Sequence, residues 1–81
     1  MEFTQYFLHT RKRPDRANIR LEWIQQVMGN AEHEIIQSDE RIRLWGKIEE
    51  ADNRYLRVVL LSDRKTVHNA FFDRSFRGEQ Q

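Results

Sequence analysis

The hydrophobic period of this chain changes once, at Asn30, and that change limits the folds open to it. Before it, Ile19, Trp23 and Val27 recur at four-residue steps with Ile24 and Met28 beside them, predicting one amphipathic helix over residues 19–28. Gly29 and Asn30 supply the stop. Beyond it apolar residues alternate with polar ones in four segments, at 33–37, 41–50, 54–62 and 65–72. The connections "SDE", "ADN" and "SDRK" are short and rich in turn formers, and loops this short join antiparallel neighbours. The expected class is α+β: an antiparallel meander of three to four strands packed on one main helix, all of 1–81 in a single domain.

The N-terminal third is less regular. "EFTQYFLH" suits a strand or a short helix, and its pattern does not choose between them. Pro14 rules out one long first helix, because its ring removes a backbone donor and restricts Arg13; a short helix starting at Pro14 stays open. The chain has no cysteine, which excludes a disulfide framework and thiolate metal sites and favours a cytoplasmic setting for a domain of 81 residues. Its apolar runs are too short for a signal peptide or a membrane span. His9, His33 and His68 are dispersed, so neither a metal nor a cofactor is expected. With 14 basic and 13 acidic residues, the net charge of +1 is not that of a protein that coats DNA indiscriminately. Local basic clusters remain, in "RKRPDR" (Arg11, Lys12, Arg13, Arg16) and in "RIRLWGK".

Register follows from turning Ile42, Leu44 and Ile48, with Leu56, Val58 and Leu60, toward the helix. A loop of Ala51-Asp52-Asn53 then pairs Ile48 with Leu56 and Leu44 with Leu60. In the last hairpin Leu60 meets Val67, Val58 meets Asn69 and Leu56 meets Phe71. Asn69 therefore faces the core, as a buried amide that needs partners. The reverse face becomes a grid. Trp45, Val59 and His68 form one row, Lys47, Arg57 and Ala70 the next, and Glu49, Tyr55 and Phe72 the third. Arg43 and Leu61 lie beyond, and His33 sits beside Trp45. Lys47 and Arg57 directly opposed at ~5 Å repel each other unless an acid such as Glu49, or a phosphate, lies between them.

The spaced basic residues of "HTRKRPDR", the helix "IRLEWIQQVM" and the meander "YLRVVLLSDRKTVHNAFFDR" together resemble small bacterial domains grouped with the RelE/ParE and BrnT toxin-like superfamily. The resemblance spans most of the chain and lies in arrangement rather than in a tight motif. It implies a toxin-like fold and an endoribonuclease, with RNA as substrate and an antitoxin as partner. In such proteins sheet-face Arg and Lys, with a His, Tyr or Glu, promote attack by the 2′-hydroxyl on the phosphodiester.

On the grid above, that reading makes His68 the general acid or base, with Arg57 and Lys47 stabilising the pentacoordinate phosphate. Glu49 or Asp73 accepts a proton or orients a base. Arg43 and Arg74 hold the RNA backbone, and Trp45 or Tyr55 stacks a nucleobase. The competing reading is a non-catalytic interaction module. There the apolar part of the same face (Trp45, Tyr55, Val59, Leu61, Phe72) is covered by the N-terminal segment, a second copy or an antitoxin, and "FDRSF" is a tail that docks across it.

Overall fold

Short loops pair the four alternating segments in chain order, and the computed structural model, which describes residues 1–76, adds a fifth strand that their periodicity does not announce. The elements are β1 (Glu2–Phe3), α1 (Gln5–Thr10), α2 (Leu21–Gly29), β2 (His33–Ile36), β3 (Ile42–Ile48), β4 (Arg54–Leu60) and β5 (Thr66–Phe72). The sheet runs β1-β5-β4-β3-β2, antiparallel throughout the meander, with β1 parallel to β5 through Glu2↔Thr66 and Phe3↔Val67. "EFTQYFLH" is thus both alternatives in succession. The chain leaves the strand at Thr4, whose hydroxyl accepts the Phe7 amide at 3.0 Å and caps α1. Residues 11–18 form turns, and no helix begins at Pro14.

One core lies between α2 and the sheet. Ile24 and Val27 descend from α2 onto Leu44, Ile48, Leu56, Val58 and Leu60, and Phe7 and Ile19 close the end nearest β5. Gly46 lets α2 approach: a Cβ there would stand 3.0 Å from Val27 Cγ2. Ile19, predicted inside the helix, is buried just before it, and Arg20 takes the N-cap position. Among the described residues no helix is long and apolar enough to cross a membrane.

Both hairpin registers differ from those expected, for different reasons. Between β3 and β4 the chain forms a 3-10 turn at Glu49–Ala51 and then passes through Asp52 and Asn53, at φ 60° and 59°. This longer loop pairs Leu44 with Val58 and Gly46 with Leu56, two residues from the expected register. A shift of two keeps every side chain on its expected face but changes its partner. Trp45, not Lys47, stands opposite Arg57, and Lys47 stands opposite Tyr55.

Between β4 and β5 the turn is closed by Asp63, whose carboxylate accepts the Lys65 and Thr66 amides at 2.9 Å and the Thr66 hydroxyl at 2.6 Å. The Thr66 hydroxyl and these amides pull its pKa down to about 2. Leu60 pairs with Val67 as expected, but a bulge follows, and Val59 pairs with Asn69, Val58 with Ala70 and Leu56 with Phe72. The extra residue is His68. Past it the faces exchange. Ala70 and Phe72 join the helix side, while Asn69 and Phe71 move to the reverse side. The expectation that Asn69 lies in the core, and that Ala70 and Phe72 lie outside it, is overturned here. An unbroken ladder would have buried an amide beneath α2, and the bulge buries a methyl group instead.

Candidate functional site

On the reverse face, His33, Trp45, Arg57 and Phe71 are successive cross-strand partners on four neighbouring strands. The row is closely stacked. Arg57 Cζ lies 5.5 Å from the Trp45 ring centroid and 5.1 Å from that of Phe71. Arg16, from the segment between α1 and α2, lies 5.1 Å over the same Phe71 ring. At the other end Phe76 lies on Trp45 with centroids 4.9 Å apart and an interplanar angle of 11°. Cations and rings therefore alternate across the sheet.

Asp73, just past β5, ties this row together. Its Oδ2 accepts Trp45 Nε1 at 3.0 Å and pairs with Arg57 Nη1 at 3.5 Å, while Oδ1 accepts the Ser75 amide and hydroxyl. Burial pushes the Asp73 carboxyl up, but the bonds from Trp45 and Ser75 and the charge of Arg57 outweigh it and hold the group below the usual carboxylate range. For Arg57, burial first and the nearby charge of Arg43 second lower its pKa, with Asp73 opposing them. Arg57 Nε is buried and makes no hydrogen bond among the described residues. Arg57 is thus set between the carboxylate of Asp73 and the positive charge of Arg43.

The next row is Arg43, Val59 and Asn69, and here the face opens into a shallow concavity of ≈ 490 Å³ lined by Tyr6, Arg41, Arg43, Arg57, His68 and Asn69 among others. Arg43 Nε donates to Gln37 Oε1 at 2.7 Å, and Arg16 Nη1 donates to Asn69 Oδ1 at 2.8 Å. His68 stacks on Tyr6 of α1 at 4.8 Å, and its Nδ1 shares a hydrogen bond of 3.1 Å with the Thr4 hydroxyl. That hydroxyl accepts the Phe7 amide on one lone pair and can accept Nδ1–H on the other, the tautomer of the neutral ring in which Nε2 is the free, unprotonated nitrogen.

Burial, then the charge of Arg41, lowers the His68 pKa from 6.5, against a smaller opposing pull from Asp39. Because the folded value lies below the unfolded one, the neutral ring contributes stability above pH 6.5 that is lost as the pH falls through the folded value. Thermal unfolding followed from neutral to mildly acidic pH should show this loss in the native chain and a flatter profile in His68→Gln. Equal slopes in the two proteins would refute the assignment.

Of the residues singled out from sequence, His68, Arg57 and Arg43 meet at this concavity, joined by Asn69. Lys47 does not. It sits opposite Tyr55, with Nζ 5.9 Å from that ring, and lines a separate acidic depression with Glu32, Glu49 and Glu50. Glu49 has left the strand for the 3-10 turn and cannot lie between Lys47 and Arg57. Arg74 lies in the turn after β5 and lines a third depression with Asn53 and Arg54. Trp45 is buried, one ring face under Phe76, and the Tyr55 hydroxyl donates to Glu32 Oε1 at 3.3 Å with its ring edge against Phe76. Tyr6 and Arg41 were not anticipated. Tyr6 reaches His68 only because β1 pairs with β5, a contact between positions far apart in the chain.

Comparisons with protein-family models, with curated proteins and with solved structures find no match to this chain.

Proposed function

We propose that this domain binds RNA through the concavity on its reverse face and acts as a toxin-like endoribonuclease. The observation that carries the reading is the convergence of Arg41, Arg43 and Arg57 on one depression beside His68. The charge of Arg43 adds to the cost of keeping Arg57 ionised, and a phosphate between them offsets that cost. His68, held neutral, takes the proton of a 2′-hydroxyl at its free ring nitrogen. The oxygen then attacks the adjacent phosphorus, the arginines stabilise the added negative charge, and the 5′ oxygen leaves with a proton from solvent. The resemblance to the RelE/ParE and BrnT superfamily supports the same chemistry. Lys47 and Glu49 have no part in it.

The test is titration of a fluorescent single-stranded RNA at several salt concentrations with native protein and Arg43→Ala. Arg43→Ala is expected to weaken binding and to reduce the slope of log affinity against log salt by about one phosphate contact, roughly 0.7 for a single strand. Incubation of structured RNA with native protein and His68→Ala then separates cleavage from binding. An unchanged slope would reject the concavity as the site, and equal cleavage by both proteins would reject His68.

A second reading, association with a second copy or an antitoxin, draws on a different surface from the one expected. Trp45 and Val59 are buried and Phe72 faces the helix, but Ile35 and Ile36 on the edge strand β2 are 43% and 60% exposed. Absence of RNA binding, with self-association that Ile35→Lys abolishes, would favour that reading.

A further inference from the structure

Arg43 and Arg57 line a second depression beside the first. It measures ≈ 300 Å³ and is shared with His33, Trp45, Asp73 and Phe76. The chain's own Phe76 forms one wall of it. That ring lies parallel on Trp45, with His33 5.6 Å and Tyr55 4.9 Å away, so three aromatic groups surround it. Among the described residues Phe76 makes no hydrogen bond, and these rings are its aromatic contacts. The strand pairing ends at Phe72, and the last backbone bond to the sheet is from the Asp73 amide to the Tyr55 carbonyl. Ser75 is exposed and, among the described residues, bonds only to Asp73.

A flat ring parallel to an indole, beside two arginines and on a stem without sheet bonds, occupies the position that an unstacked nucleobase takes on an aromatic platform. We infer that the Trp45 ring is a nucleobase site for single-stranded RNA, and that Phe76 fills this site and is displaced by the base. The inference rests on the RNA-binding reading and adds to it a preference for unpaired strands. Arg43 and Arg57 border both depressions, so a phosphate bound to them lies between the base on Trp45 and the ribose presented to His68. The indole is held for this role at its edge, by the bond from Nε1 to Asp73, and by the Arg57 guanidinium over the ring. Stacking of this kind tolerates any base, because every base offers a π face.

The experiment uses the full chain carrying Trp23→Phe, so that Trp45 is the remaining tryptophan and is excited selectively over the two tyrosines. The probes are a short oligouridylate and the matching abasic ribose-phosphate oligomer. The oligouridylate is expected to quench Trp45 and the abasic oligomer to bind without quenching. Phe76→Ala should tighten oligouridylate binding by roughly two- to tenfold, the worth of one aromatic pair, and leave the abasic oligomer unchanged. Phe76→Leu keeps apolar cover over Trp45 without a planar ring. It should tighten binding less, and it serves in place of Phe76→Ala should that variant unfold. Equal binding of both probes with Trp45 undisturbed would overturn the base site while leaving phosphate binding intact. Failure of both probes to bind would remove the RNA reading as well. Weaker oligouridylate binding by Phe76→Ala would show that Phe76 belongs to the binding surface and is no competitor.

Discussion

Replacing Arg57 by alanine is expected to abolish RNA binding and to destabilise the fold by about 2–3 kcal/mol in urea unfolding. The binding loss follows from its place on both depressions. The stability loss has two sources. Asp73, whose side chain is only 9% exposed, keeps the Trp45 N–H but loses its cation, and the Trp45 and Phe71 rings lose the guanidinium between them. The figure lies below the 3–5 kcal/mol of a fully buried broken pair because the Arg57 side chain is 21% exposed and partly screened. Arg57→Lys separates the two effects. It restores a charge and some RNA affinity, but a compact ammonium cannot fill a planar gap between two rings, so most of the stability loss persists. Native-like stability in Arg57→Ala would mean that the ladder across the sheet is ornamental to the fold.

Leu56→Ala should cost more, about 2–5 kcal/mol, with no direct effect on RNA contacts. Leu56 is fully buried on the helix face, opposite Gly46 and Phe72 on its two neighbouring strands. Gly46 brings no side chain to collapse into the cavity, and its backbone is already close to Val27. In a domain this small, such a loss approaches the whole of the net stability. Chemical denaturation gives the value directly. A cost below about 1 kcal/mol would show that α2 settles onto the sheet and closes the space. The two variants also separate the faces, since Arg57→Ala removes binding together with part of the stability while Leu56→Ala removes stability alone.

Local pattern carried the α2 stripe, the four alternating segments and the antiparallel order of the meander. Each depends on side chains only a few residues apart, so periodicity reports it without reference to the rest of the chain. The same pattern brought Arg43, Arg57 and His68 to the face away from α2, and it marked "FDRSF" as a segment able to lie across that face. It went wrong where partners are set by distances it does not encode. The 3-10 turn at Glu49–Ala51 moved Trp45, rather than Lys47, opposite Arg57. The bulge at His68 exchanged Asn69 with Ala70 between solvent and core. The bulge avoids the cost of an amide beneath α2, and the turn is set by the left-handed pair Asp52 and Asn53 that closes the longer loop.

The sequence by itself determined the four strands of the meander, the apolar face of β3 and β4, and that positive charge collects opposite the helix, because these are properties of neighbours along the chain. Only the tertiary structure decided that Arg57 lies between two rings, that Tyr6 of α1 and its cap Thr4 hold His68 once β1 has paired with β5, and that Phe76 covers Trp45. Those contacts join residues of different elements, and their geometry exists only once the sheet has formed.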